Sequence, residues 1–462
     1  MFLADVNPYV PAPAYLNSGD TAWQLTAATF VGLQSIPGLA ILYGGLVKKK
    51  WALNSAVMCF YAFSIVMLCW VLWGYNMSFG NPLTQGWGFL GGFLGVPHPA
   101  LGPDAIIGQA NIPLASGGMP PLRFPGSAMM YFQFVFAAIT PILIAGSVFA
   151  RMNFKAWMLF VPLWSSLIYT VGAFSIWGGG WLAQRGALDY SGGYVIHLAA
   201  GVSGFVAAAV VGPRLFADRH EFEPNNLIMA LAGAGMLWLG WNGFNGGDPY
   251  FANADAGAAV LNTNVTTATA LLCWLVLDMF ATGKPNAVSM INGMIAGLVA
   301  ITPAAGFIDT GGALALGVLA GVIPWLTLNK LGQLPILKKV DDTFSVLHTH
   351  GVAGLVGGLS VGLFANPAMI EYLSNDKKTP AVSFAGLFWG GGWTQLMHQA
   401  EAAAFIICFD AIGTFVILKA IALIVPLKAS QPEMEEGDLA IHGIDPIPPH
   451  PVLDTAKPSP AT

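Results

Sequence analysis

The sequence predicts an all-α polytopic membrane protein with eleven transmembrane helices. They are expected to form two inverted five-helix repeats plus one extra helix, with the N-terminus outside and the C-terminus inside. Three observations lead there. Of 462 residues, 55% are hydrophobic and only 9% charged, with a mean hydropathy of +0.65, whereas a soluble domain carries about 25% charged residues. Apolar runs of bilayer-crossing length recur along the whole chain. One polar pattern also occurs twice, at Asp189…His197…Gly201…Gly204 and again 153 residues on at Asp342…His350…Gly354…Gly357.

The runs follow in order. The first, 22–43, contains Ile36-Pro37-Gly38-Leu39-Ala40 and Tyr43-Gly44-Gly45 and meets Lys48, Lys49 and Lys50 at its end. After 53–78 comes a long Gly- and Pro-rich connection at about 80–125, then 127–150, 156–177 and 194–212. The next five are 226–246, 260–281, 286–304, 310–329 and 346–366, and a second long connection at about 367–395 precedes 397–426. The twice-used pattern falls in the fifth and tenth runs. It therefore divides residues 1–428 into repeats at about 22–212 and 226–366 plus the extra helix at 397–426, leaving 429–462 as a cytoplasmic tail. Because five is odd, the repeats must be inverted, and such folds hold their permeation site near the midplane at the repeat interface.

Orientation follows from the basic residues. Segments after the odd-numbered runs hold Lys48, Lys49, Lys50, Arg151, Lys155, Arg214, Arg219, Lys284, Lys330, Lys338, Lys339, Lys428 and Lys457, against Arg123, Arg185, Lys377 and Lys378 on the other side. Cytoplasmic loops carry the excess of Lys and Arg, so the tail is inside. Its end, from about 446, is Pro-rich and expected to be disordered.

Other classes are excluded. The net charge of −5 comes with no basic face for nucleic acid. Cys59, Cys69, Cys273 and Cys408 lie in apolar runs with no CxxC pair, which argues against disulfides or structural zinc. The first residues, Met-Phe-Leu-Ala-Asp-Val-Asn-Pro, lack the basic region and apolar core of a signal peptide. No nucleophile–base pair, phosphate loop or metal set is legible, so the chain is not read as an enzyme, and no cofactor is expected.

Ionisable groups at bilayer depth are expensive and read as functional by default. His197 and His350 occupy matching places in an inverted repeat, which brings both to one pseudo-two-fold axis and points to a lumen lined by the pair. His348 has no such mate. Two residues apart on a helix, His348 and His350 diverge by about 200° and cannot chelate together; His348 either fills a helix interface or sits at the inner pore mouth. Asp189 and Asp342 precede their histidines by eight residues, where a carboxylate caps the free N–H groups of a helix start. Three aromatic elements stand out as candidates for the outer ends of runs: Trp164, Gln133-Phe134-Val135-Phe136, and Gly240-Trp241-Asn242-Gly243-Phe244-Asn245 leading to Asp248.

Together with Trp177-Gly178-Gly179-Gly180, Gly186-Ala187-Leu188-Asp189, Thr302-Pro303-Ala304-Ala305-Gly306 and His350-Gly351-Val352-Ala353-Gly354, these motifs resemble the ammonium transporter (Amt/Mep/Rh) family over about 20–445. Asp248 and His348-Thr349-His350 are similar to the branch typified by the second type of plant ammonium transporter. The resemblance implies a homotrimer in the cell membrane, each protomer with its own pore for ammonium or methylammonium. It matches His197 and His350 to paired pore histidines, Phe136 and Phe244 to an external gate, and Trp164, with Asp248, to a recruitment site. Membrane lipid and a cytoplasmic nitrogen-regulatory protein of the PII type are the further partners implied, the latter through Gly437-Asp438 and His442-Gly443 of the tail.

Such a pore would work by deprotonation. Moving a bare ion into a dry lumen costs on the order of tens of kcal/mol. Removing a proton from ammonium at pH 7 costs about 3 kcal/mol, for a pKa of about 9. Potassium has no neutral form, so an apolar lumen rejects it. The expected function is thus ammonium recruitment, deprotonation and ammonia conduction with net ammonium uptake. A passive pore for ammonia or carbon dioxide and an ammonium sensor with little flux are the alternatives.

Overall fold

The computed structural model describes residues 12–84, 88–113, 120–220, 223–369 and 382–445. Lys377, Lys378, Lys457 and the chain end from 446 lie outside the described residues. The fold is helical and polytopic. Among the described residues ten helices are long and apolar enough to cross a membrane: α1 Ser18–Leu46, α2 Lys49–Phe79, α3 Gly126–Val148, α4 Phe154–Arg185, α5 Gly193–Val211, α6 Leu227–Gly246, α7 Ala254–Thr282, α9 Thr310–Gln333, α10 Leu347–Phe364 and α11 Thr394–Ala422. A shorter apolar helix, α8 Ala287–Ile301, falls where the eighth run was expected.

Polar caps set where the helices begin. Asn17, Asn153, Asn226, Asn253, Asn286 and Asp309 each accept a backbone N–H from the first turn of α1, α4, α6, α7, α8 and α9, satisfying donors that a helix start otherwise leaves free. Helices α5 and α10 begin differently. Each opens on a π-helical turn, Gly193–Leu198 and Leu347–Val352, and those turns carry His197 and His350. Turns of this kind concentrate at functional sites. The Asp189 carboxylate accepts from the N–H groups of Gly192, Gly193, Tyr194 and Val195 at 2.6–3.0 Å. Asp342 accepts from Leu347 N at 2.9 Å.

Helix α3 is the most enclosed, with 94% of its apolar window buried, against 28% for α7 and 33% for α11. The core is thus built around α3, and α7 and α11 present most of their surface outward. The two π-turn helices cross against each other through glycine. A Cβ on Gly201 would run into the backbone of Gly351, and its next neighbour is Val346 O at 3.3 Å. A Cβ on Gly354 would stand 2.5 Å from Gly193 O and 3.1 Å from Leu198 N. Each contact maps onto the other under the offset of 153 that separates the two histidines. The half-sites exchange equivalent contacts.

Loops after α1, α3, α5 and α9 converge at one end of the molecule. Lys48 pairs with Asp218 at 3.3 Å, and Arg214 with Asp341 at 2.7 Å. Arg151, fully buried, donates to Ser147 O, Gly212 O, Thr343 Oγ1 and Asp341 O. Burial pushes the Asp341 carboxyl up, but the hydrogen bonds and charge of Arg214, with the charge of Arg151, outweigh it and hold it at about 2. The tail docks at the same end: Lys50 Nζ donates to Met434 O at 2.9 Å, and the Asp438 carboxylate takes Leu53 N and Asn54 N, both at 2.8 Å. At the opposite end Arg123 meets Asp20 at 2.6 Å and Arg185 meets Glu401 at 2.7 Å.

Candidate permeation site

The polar and aromatic residues singled out above form one column through the helix core. Phe136 on α3 and Phe244 on α6 stack with centroids 4.3 Å apart and planes 22° from parallel, both fully buried. Below them Trp241 stacks on Phe244 at 4.9 Å and on His197 at 5.3 Å. His197 then faces His350, Nδ1 to Nδ1 at 3.2 Å. Two ring nitrogens at this distance share one proton, so one ring donates and the other accepts. His197 is fully buried, and among the described residues its Nε2 has no hydrogen-bond partner. That orphan nitrogen points to a passing ligand as its partner.

Past His350 the column opens into a narrow cavity of about 110 Å³. Its lining includes Tyr43, Ile291, Asn292, Phe344, Thr349 and His350, and Tyr43 stacks on Phe344 at 5.4 Å. At the Phe136 end, Asp248 is half-buried and its carboxylate hydrogen-bonds Ser191 Oγ, which also lies 2.8 Å from Phe244 O. Asp248 therefore stands one residue removed from the backbone of the stacked Phe244.

Two expected site residues are elsewhere. Trp164 does not reach the outer mouth: it is fully buried in α4, its indole N–H shared between Ser203 Oγ at 3.2 Å and Thr414 Oγ1 at 3.0 Å. The half-exposed tryptophan by the aromatic stack is Trp177, edge-on to Phe136 at 6.3 Å and donating to Asp189 O at 2.7 Å. The signal for it was present, since Trp177 is the last residue of the fourth apolar run. His348 does not line the pore cavity either. Its Nδ1 lies 3.1 Å from Thr327 Oγ1 on α9, because two residues of turn rotate it away from the side that His350 presents. Of its two expected places, the helix interface is the one it occupies. The sequence gives Trp241 no role beyond its aromatic element and does not single out Ser191, yet both belong to the column or its rim.

A family model for ammonium transporters matches residues 22–445. The chain belongs to the ammonium transporter family. It is 52% identical over 440 residues to ammonium transporter 2 of Arabidopsis thaliana, covering 95% of this chain and 90% of that one. It is 50% identical to ammonium transporter 3 member 1 of Oryza sativa subsp. japonica, covering 93% and 88%. Among solved structures, Saccharomyces cerevisiae Mep2 superposes with a TM-score of 0.76 at 28% identity, covering 91% of this chain and 89% of that one. Candida albicans Mep2 gives 0.77 at 28% identity, covering 92% and 89%. This ammonium transporter is thus a multi-pass membrane protein of a family of transporters and channels, and not an enzyme.

Proposed function

We propose that this transporter recruits ammonium at the Trp177–Asp248 end, strips its proton, and conducts ammonia past His197 and His350 toward the cavity below, with net uptake of ammonium. The observation that carries this reading is the sealed column: stacked Phe136 and Phe244 lie directly over a histidine pair whose Nε2 on His197 lacks a partner among the described residues. The aromatic seal excludes hydrated cations, and the orphan nitrogen can hydrogen-bond ammonia. Trp177 adds a cation–π attraction of roughly 0.5–2 kcal/mol, and the Asp248 carboxylate adds charge at the same rim.

In this reading all eleven helices cross the bilayer within residues 1–428, as inverted repeats with α11 added. The N-terminus is outside, and the docked tail is cytoplasmic. The protein works as a homotrimer in the cell membrane, and a PII-type regulator is a candidate partner of the tail. The converging Lys and Arg residues support the orientation.

The test is transport by proteoliposomes carrying His197→Ala or His350→Ala, with ammonium, methylammonium and potassium. The expected outcome is slower uptake by at least an order of magnitude, or passage of potassium. Unchanged rate and selectivity in both variants would remove the histidines from the pore.

A further inference from the structure

Helix α11 carries a carboxyl group that the column does not use. Asp410 lies near the middle of Thr394–Ala422 and is 1% exposed. It shares the inward stripe of α11 with Ala402, Ala403, Ile406 and Thr414, all buried, while the rest of the helix faces outward. Among the described residues its Oδ1 has no hydrogen-bond partner. The titratable side chains on the elements packed against α11 are Lys155, Tyr169, Arg185, Tyr194 and His197. Among the described residues none of them forms an ion pair with Asp410.

One turn along the same face, Thr414 Oγ1 donates to Ser203 Oγ at 2.9 Å and accepts from Trp164 Nε1 at 3.0 Å. Ser203 belongs to α5, the helix that His197 opens, and α11 also packs against the π-turn bearing His197. A bare carboxylate in such a place would cost on the order of tens of kcal/mol, so the group holds a proton when nothing pairs with it. Intramembrane carboxyls that face a bundle interior mark proton relays.

We infer that Asp410 is a proton-binding site of the transport cycle, one helical turn from the Thr414–Ser203 hydroxyl pair, on the helix that packs against the His197 turn. The inference rests on the proposal that ammonium is deprotonated before it crosses. The step balances as follows: the N–H bond of ammonium breaks, ammonia keeps the electron pair, and the proton ends as an O–H on the Asp410 carboxyl. In the same step the carboxyl's other oxygen hands its earlier proton on toward water on the far side, so the group is never bare and one ammonia and one proton cross per cycle.

The experiment reads ammonium-driven current and ammonia flux together in proteoliposomes of the full chain, for wild type, Asp410→Asn and Thr414→Val. Current per ammonia transported should fall at least tenfold in D410N, which keeps the shape but binds no proton, and should also fall in T414V. Thermal unfolding shows whether D410N is folded; if it is not, T414V decides. A folded D410N with the wild-type ratio overturns the proposal, as does an unchanged ratio in T414V when that variant decides. Wild-type ammonia flux without current overturns it while leaving ammonia conduction standing. No ammonia flux in the wild type overturns the transport reading itself.

Discussion

Trp164 and Trp177 sit in one helix, and only their surroundings tell them apart. Trp164 has both its faces and its N–H satisfied inside the helix core, whereas Trp177 keeps part of its ring open beside Phe136. Replacing Trp177 with Ala should weaken the apparent affinity for ammonium by roughly 2- to 30-fold, the worth of a cation–π contact, at a smaller cost in stability than emptying the Trp164 site. Trp164→Ala should instead cost about 3–5 kcal/mol of stability, as expected for emptying a core site. Uptake against concentration, alongside thermal unfolding in detergent, separates the two; the reverse pattern would return recruitment to Trp164. The histidine pair and the stacked phenylalanines could be located from the sequence because a repeated spacing and a motif fix them. The facing direction of a lone side chain could not. His348 and Trp164 each turn on helix azimuth, and both of their helices contain a π-turn that spacing does not announce.

Among the helices, length and apolarity were legible to within a few residues, and α8 shows the limit. Its 15 residues span about 22 Å, less than the roughly 30 Å of a bilayer core. Residues 302–308 extend it as irregular backbone, which is tolerated at membrane depth only when buried in protein. They are buried throughout. Asn262 donates to Ala305 O at 3.0 Å and Ile308 O at 2.8 Å, and Thr302 O and Pro303 O accept from Ser191 and Tyr190. An apolar run cannot reveal such a turn, because its polar partners lie on distant helices. The crossing of α5 and α10 gives the sharper test. Gly201→Ala and Gly354→Ala each push a methyl group into the opposite π-turn, an overpacking that costs about 1–3 kcal/mol. Because the contacts are equivalent, both variants should lower the melting temperature by similar amounts and slow transport by displacing the histidine pair. A large loss in one and none in the other would contradict the equivalence of the half-sites.

For the molecule as a whole, the even split of runs and the uneven split of charge together imply a direction. The basic loops do more than lie on one side. Arg151 ties the loops after α3, α5 and α9 together, Lys50 at the start of α2 ties that end to the tail, and Ala429 N donates to Arg151 O. The network fits the proposed eleven crossings, since α1, α3, α5, α9 and α11 end together at one face only if α8 completes its crossing. In the proposed orientation, retention of Lys and Arg on the cytoplasmic side makes that face the inner one. Cysteine labelling of the cysteine-depleted protein tests this directly. Gln184→Cys, at the exposed end beyond Trp177, should react with a membrane-impermeant maleimide on intact cells. Glu436→Cys, exposed in the docked tail, should react only after permeabilisation. Reaction of Glu436→Cys in intact cells would reverse the molecule, and with it the side from which Trp177 and Asp248 meet ammonium.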